Sequence, residues 1–221
     1  MGDSVNAKEN NMANLLYVTC NVRPQEKSRA LALGNEFLEE YLRRNPQDEV
    51  QLLDLYRDNI QRVDQDVLNA LGRIEQGEDY ILLLSEEERR KMSRIWRLAD
   101  HFVRCEKYVF VTHSLNLWFP AEFKMYMDAV SVPGRTYRIT PQGAKSMIPD
   151  KPRSSLHLHA GPSYRYGQEQ DQSVPYLRSV LSFLGVTAQE TALLEGDDPE
   201  LGSKEEYETV RRRLLELARR F

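Results

Sequence analysis

The chain is poor in the features that mark secreted, membrane-spanning and nucleic-acid-binding proteins. Its 221 residues include two cysteines, Cys20 and Cys105, which form no visible disulfide framework, so we expect a cytoplasmic protein. No apolar run approaches the roughly 18 residues that a membrane-spanning helix needs, and we expect no membrane partner. The 30 basic and 34 acidic residues give a net charge of −4, so no basic field is available to attract nucleic acid.

Sequence motifs of several common sites are absent as well. Neither Gly-x-Gly-x-x-Gly nor Gly-x4-Gly-Lys-Ser/Thr occurs, which argues against a Rossmann dinucleotide loop and a P-loop. Gly-x-Ser-x-Gly is also missing, which argues against a serine hydrolase. His157 and His159 lie two apart and share one face of a predicted strand. No third ligand accompanies them, so we predict no metal site.

The N-terminus differs in character from the rest of the chain. Residues 1–13 are mostly polar and lack the apolar core of a secretory signal. We expect a disordered tail or tag there. Residues 14–221 suffice for one sizeable α/β domain and hardly for two, so the sequence predicts a single domain over this range.

Short apolar strands alternate with amphipathic helices along this domain. The periodicity predicts five core strands, at residues 15–19, 50–55, 108–112, 155–159 and 187–194. It predicts helices at residues 28–44, 64–71, 85–103, 121–130, 174–184 and 201–221, and a further strand arm at residues 136–140. Such alternation is typical of a doubly wound α/β fold, with a parallel sheet in the order 2-1-3-4-5 and helices on both faces.

The loop after the first strand carries groups that suit a phosphate monoester. It spans residues 20–28 and opens the first helix, whose N-terminal N–H groups favour an anion. Ser28 can cap this helix or donate its hydroxyl to a ligand, and Arg23 and Lys27 can add charge-assisted bonds. A solvated loop with a serine N-cap explains the same residues, so both interpretations stay open.

The segment 113–137, HSLNLWFPAEFKMYMDAVSVPGRTY, directly follows the third strand. Asn116 lies in the loop after that strand, and a helix carrying Lys124, Tyr126 and Asp128 comes next. In an open parallel sheet, ligands bind at the carboxyl ends of the strands, where the strand order reverses. We therefore expect this segment to contribute to a ligand site.

The same segment resembles the flavin-binding signature of the FMN-dependent NADH-azoreductase and quinone reductase family, which has a flavodoxin-like fold. In that family, Pro-Met-Tyr-Asn-Phe and a helix reading Leu-Lys-x-Tyr-x-Asp follow the strand. Residues 171–186, DQSVPYLRSVLSFLGV, also read nearly as they do in the family. The resemblance extends in order and spacing from about Leu15 to Arg220, and it implies a flavodoxin-like FMN-binding domain.

The resemblance implies how the flavin phosphate is held. Relatives carry a Ser-x5-Ser-x-Ser loop, whose serine positions fall on Cys20, Glu26 and Ser28 of this chain. Only Ser28 is retained, and Arg23 and Lys27 lie beside it. A carboxylate near a phosphate dianion is repulsive, so Glu26 must turn outward if a phosphate is bound here.

The resemblance also implies which residues surround the isoalloxazine ring. They are Ser114, Leu115, Asn116 and Leu117 after the third strand, and His159 and Gly161 at the end of the fourth. Asn116 matches the asparagine of the family, and its amide can both donate and accept. Gly161 keeps the backbone freedom that a close approach to a ligand requires. Trp118 either faces the ring or packs in the core or at an interface.

By resemblance, the protein is expected to be an FMN-dependent oxidoreductase that takes a hydride from NADH or NADPH and reduces quinones or azo compounds. One pocket used twice gives ping-pong kinetics, and no side chain is assigned a catalytic role, because the cofactor carries the chemistry. Family members are homodimers with the flavin at the subunit interface, which implies a homodimer here. The alternative is a flavodoxin-like binding or regulatory protein that no longer binds FMN.

Overall fold

The computed structural model describes residues 12–74, 80–161 and 171–221. The strands in these ranges are β1 (Asn14–Cys20), β2 (Glu49–Asp54), β3 (Lys107–His113), β4 (Tyr137–Thr140), β5 (Gly143–Ser146), β6 (Ser154–Gly161) and β7 (Ala188–Glu195). The helices are α1 (Arg29–Arg44), α2 (Gln65–Ile74), α3 (Tyr80–Leu83), α4 (Glu86–Arg104), α5 (Ala121–Val130), α6 (Ser173–Leu184) and α7 (Lys204–Ala218). The tail expected at residues 1–13 falls almost wholly outside the described residues.

Five strands form one parallel sheet in the order β2-β1-β3-β6-β7. The expected α/β fold with a five-stranded parallel sheet is confirmed. The numbers differ from the expected 2-1-3-4-5 because β4 and β5, which form a separate antiparallel hairpin, lie between β3 and β6 in the chain. The sequence pattern predicts the arm at residues 136–140 but gives no signal for β5, because that strand is short, polar and largely exposed.

The sheet separates two apolar layers, because successive side chains of a strand point to opposite faces. Leu15 and Tyr17 of β1 pack under α1 and α7 on one face. Leu16 and Val18 of the same strand pack under α2, α4, α5 and α6 on the other. The alternation along single strands therefore places helices on both faces and directs the strand ends toward a common edge.

Two helix starts follow from local side-chain chemistry. Ser85 precedes α4 with a capping box, in which its hydroxyl accepts from the N–H of Glu88 and the Glu88 carboxylate accepts from the N–H of Ser85. Ser28 caps α1, and its Oγ accepts from the N–H of Leu31. Among the described helices, none is long and apolar enough to cross a membrane.

Candidate flavin site at the carboxyl edge of the sheet

A cavity of about 780 Å³ opens where the carboxyl ends of β1, β3, β6 and β7 meet. Its walls include Val22, Arg23, His113, Ser114, Leu115, Ala160, Gly161, Gly196 and Asp197. A volume in this range is typical of cofactor and small-molecule sites. The edge is also the one at which open α/β sheets bind their ligands.

Four residues at the start of α1 form a tight hydrogen-bonded group, which we call the α1 cluster: Asn21, Ser28, Ala30 and Asp197. Oδ1 of Asp197 accepts from Ser28 Oγ at 2.8 Å and from the N–H of Ala30 at 3.0 Å. Its Oδ2 accepts from Asn21 Nδ2 at 2.8 Å. Three donors therefore converge on one carboxylate, which is the environment that an oxyanion favours at a helix N-terminus.

A buried arginine ties the loop after β7 to the same helix start. The side chain of Arg29 donates to the carbonyls of Glu195, Gly196 and Ser203, and its backbone N–H donates to the Asp197 carbonyl at 2.9 Å. A Cβ on Gly202 would lie 1.7 Å from Arg29 Nη1, so a larger residue there would displace the guanidinium from these carbonyls. Because its guanidinium donates to backbone carbonyls, Arg29 holds the loop between β7 and α7 against the start of α1.

The loop after β3 makes a tight turn with strained backbone. The N–H of Leu115 donates to the Trp118 carbonyl, and the N–H of Trp118 donates back to the Leu115 carbonyl. The two central residues, Asn116 and Leu117, have φ of 53° and 66°. Asparagine tolerates this left-handed region, but leucine does so at a cost of about 1–2 kcal/mol. Strain of this kind is concentrated at ligand sites and held there by surrounding contacts.

A chain of buried hydrogen bonds runs behind this turn. Thr112 Oγ1 lies 2.9 Å from Nε2 of His157 and 2.7 Å from Nδ1 of His159. Nε2 of His159 lies 3.1 Å from Oδ2 of Asp171. Burial opposes the charge of Asp171, but hydrogen bonds from His159, Ser173 and Ser114 outweigh it and lower its pKa. Ser114 lines the cavity, so this network anchors the loop that carries it.

Comparison with known proteins identifies the family. A family model described as a flavodoxin-like fold matches residues 13–217. An FMN-dependent NADH:quinone oxidoreductase of Geotalea uraniireducens is 51% identical over 187 residues, which cover 85% of this chain and 89% of that protein. The chain belongs to this flavodoxin-like family.

Two further relatives extend the comparison. An FMN-dependent NADH:quinone oxidoreductase of Staphylococcus haemolyticus is 35% identical and covers 90% of this chain and 94% of its own length. The crystal structure of an azoreductase from Bacillus anthracis superposes with a TM-score of 0.84 at 28% identity, covering 95% of this chain and all of that one. The resemblance drawn from residues 113–137 and 171–186 is thereby confirmed.

Four of the residues that the family resemblance assigns to the flavin line the cavity together. They are Arg23 after β1, Ser114 and Leu115 after β3, and Gly161 at the end of β6. Three strand ends that are distant in the sequence therefore contribute to one site. Ser28 lies at the adjacent helix start, inside the α1 cluster.

Other assigned residues take different positions. Cys20 is fully buried, and burial raises the pKa of its thiol to about 12, so it is no nucleophile. Lys27 and Glu26 lie exposed in a short 3-10 turn, Gln25–Lys27. The outward position of Glu26 is the one that the phosphate interpretation requires.

Asn116 and Leu117 occupy the tip of the turn after β3 and are exposed. His159 is fully buried, and both of its ring nitrogens lie within hydrogen-bond distance of protein groups. A direct bond from His159 to a flavin would therefore require those bonds to be exchanged. Within the described residues, no group of three His, Cys, Asp or Glu side chains is arranged to hold a metal ion.

Three residues that organise the start of α1 were not predicted as site residues from the sequence: Asn21, Arg29 and Asp197. Asn21 directly follows β1, and this position was a usable signal, since polar residues after a strand often face the site. Asp197 carried no such signal, because it lies 169 residues from its partner Ser28.

Proposed function

We propose that this protein is an FMN-dependent NADH oxidoreductase that reduces quinones or azo compounds. The observation that carries the proposal is the cavity itself: the loops after β1, β3 and β6, which the family resemblance assigns to the flavin, converge on it. The two enzymes reported above at 51% and 35% identity are named for NADH:quinone oxidoreduction, and the Bacillus protein is named an azoreductase. Use of NADPH, a homodimeric state and a cytoplasmic location belong to the same proposal.

The residues present fit FMN in their donor chemistry. The hydroxyl of Ser28, the amide of Asn21 and the N–H of Ala30 converge on one oxyanion position, where the carboxylate of Asp197 now stands in for phosphate oxygens. Arg23 is partly exposed beside them and pairs with Asp198 at 3.5 Å, so it can contribute positive charge. These groups would hold the phosphate.

The turn after β3 and the end of β6 would hold the ring. Leu115 and Leu117 are half-exposed and offer apolar surface, while Asn116 offers an amide that can donate and accept. Gly161 has no side chain to obstruct a flat ligand at the end of β6. The chemistry that bound FMN supplies is acceptance of a hydride from the nicotinamide and its delivery to the second substrate.

The contribution of the protein is orientation and exclusion of water. The Ser114–Asp171–His159 network fixes the loop that lines the cavity, and the strained turn beyond it is held by an N–H of Gln172 that donates to the Leu117 carbonyl at 3.1 Å. A preorganised pocket of this kind positions two flat rings against each other without a dedicated acid–base pair. We therefore assign no catalytic side chain.

One observation favours the second candidate, a flavodoxin-like binding or regulatory protein without FMN. The carboxylate of Asp197 already satisfies the donors that would hold a phosphate, and the serine expected at position 26 is replaced by Glu26. An irreversibly closed phosphate site would leave the scaffold intact and remove the redox chemistry.

The absorbance spectrum of the purified protein, before and after incubation with FMN, separates the two candidates. The oxidoreductase is expected to show flavin absorbance and to oxidise NADH when menadione is added, with ping-pong kinetics. A colourless protein that takes up no FMN and leaves NADH unchanged would contradict the enzymatic function. Heat-denatured protein with the same FMN concentration controls for free-flavin chemistry.

A further inference from the structure

We propose that Asp197 is a built-in competitor of the flavin phosphate, which limits the affinity for FMN and reduces the preference for FMN over riboflavin. This inference rests on the proposed function and deepens it. It assigns a ligand-dependent role to a side chain in the loop between β7 and α7.

The hydrogen bonds at the start of α1 are the first reason for the competition. The first three N–H groups of the helix belong to Arg29, Ala30 and Leu31, and all three are engaged. Arg29 N–H donates to the Asp197 carbonyl, Ala30 N–H donates to Asp197 Oδ1, and Leu31 N–H donates to Ser28 Oγ. A phosphate can use the N–H of Ala30 and the hydroxyl of Ser28 only if the Asp197 carboxylate leaves.

Repulsion between the Asp197 carboxylate and a phosphate is the second reason for the competition. A carboxylate and a phosphate dianion at the same set of donors repel each other, and the partly buried position screens them less than water would. Asp197 is half-buried, while Asn21 and Ser28 are buried. The two anions therefore exclude each other from the α1 cluster, and tight FMN binding requires displacement of this side chain.

The loop has a structure that permits this displacement. Gly196, with φ of 76°, directly precedes Asp197, and the Arg29 guanidinium holds the carbonyls of Glu195 and Gly196. The backbone bond from Arg29 N–H to the Asp197 carbonyl can persist while the Asp197 side chain rotates away from Ser28 and Ala30. Release therefore needs a change of side-chain rotamer, and the loop keeps its anchors.

Riboflavin provides the discriminating ligand, because it has the same ring and a terminal hydroxyl in place of the phosphate. A hydroxyl can donate to the Asp197 carboxylate, so riboflavin does not require its displacement. The competition therefore weakens FMN and leaves riboflavin nearly unaffected.

Fluorescence titration of apo-protein with FMN and with riboflavin tests the proposal in three forms: wild type, Asp197→Asn and Asp198→Asn. Asp197→Asn is expected to tighten FMN binding by about tenfold, since one repulsive charge at the phosphate is removed. Riboflavin affinity is expected to change by less than about threefold. Asp198→Asn removes the same charge one residue away, from a carboxylate that faces Arg23 instead of the cluster, and a smaller gain is expected.

The outcomes separate this inference from the function on which it rests. Wild type that binds FMN no more weakly than Asp197→Asn would overturn the competition and leave the enzyme assignment standing. Equal gains in FMN affinity in Asp197→Asn and Asp198→Asn would also overturn the competition, because loss of any negative charge near the phosphate would then explain the result. Absence of FMN binding in all three proteins would overturn the proposed function and this inference with it. FMN binding by Asp197→Asn and by neither other protein would support the inference, because the Asp197 carboxylate would then prevent FMN binding altogether.

Discussion

At the scale of single residues, surroundings decide what a side chain can do in this protein. Cys20 stands where the family has a serine, but it is fully buried and its pKa is raised to about 12 by that burial. Asn116 is exposed at the tip of a strained turn. The family resemblance implied a flavin contact at both positions, and their exposure distinguishes them.

Replacement of Asn116 tests the ring contact. Asn116→Ala is expected to weaken FMN binding by about fivefold, because one hydrogen bond is lost and the φ of 53° disfavours alanine. Asn116→Gly removes the amide but suits the backbone, so it isolates the contribution of the side chain. Fluorescence titration measures both variants, and wild-type affinity in each would show that Asn116 does not contact the flavin.

Burial of His157 predicts a dependence of stability on pH. Burial lowers the pKa of His157 well below its ordinary value, so the unfolded chain binds a proton at a pH where the folded chain does not. Stability is then expected to fall as the pH drops below about 6.5, by up to about 1.4 kcal/mol per pH unit for this group. The lowered pKa of Asp171 acts in a lower window, below about pH 4.

Urea unfolding of wild type and His157→Gln between pH 7 and pH 5 measures this effect. The variant keeps a polar group near Thr112 but does not titrate, so its stability should fall less steeply with decreasing pH. Identical slopes for the two proteins would mean that His157 does not control the acid limb of the stability curve.

At the scale of elements, close packing of α1 on the sheet positions the phosphate end of the candidate site. A Cβ on Gly34, in the middle of α1, would lie 2.4 Å from Tyr17 Oη and 2.8 Å from Val111 Cγ2. The helix can therefore approach β1 and β3 only because this residue has no side chain. The position of Ser28 at the helix start depends on that approach.

Two glycine substitutions test this interpretation with a matched pair. Gly34→Ala is expected to lower the free energy of unfolding by about 1–3 kcal/mol, because overpacking outweighs the better helix propensity of alanine. Gly72→Ala in α2 meets nothing within 4 Å and should raise it by about 0.5–1 kcal/mol. Chemical denaturation gives both values, and a stabilised Gly34→Ala variant would contradict the packing argument.

At the scale of the whole molecule, exposed apolar side chains accompany the candidate site. Leu115, Leu117 and Trp118 are 49%, 50% and 37% exposed, and all lie in the turn after β3 beside the cavity. Clustered apolar exposure of this kind is a feature of interaction surfaces. It agrees with the homodimer that the family resemblance implies.

The oligomeric state is directly measurable. Light scattering coupled to size exclusion is expected to give twice the mass of one chain, because two copies can cover the apolar turn of each. Trp118→Glu should shift the population toward the monomer. A monomeric wild type would contradict the dimer.

The sequence by itself determined the five core strands, the longer helices and the fold class of this protein. The continuous apolar run of β1 predicts a strand that is buried on both faces, and the helical spacing in α1 and α4 predicts helices that bury one face. Such patterns are local information. The hairpin strand β5 was not predicted, because Gly143–Ser146 is short, polar and largely exposed and therefore shows no hydrophobic periodicity.

The tertiary structure alone decided the state of the candidate phosphate site. Ser28 is recognisable from sequence as a helix cap, but its hydroxyl also donates to Asp197, which lies 169 residues further along the chain. Hydrogen bonds depend on distance in space, and the parallel sheet order brings the ends of β1 and β7 to one edge. The local sequence pattern therefore indicated where an anion would bind. Only the folded chain shows that the Asp197 carboxylate occupies the donors at that position.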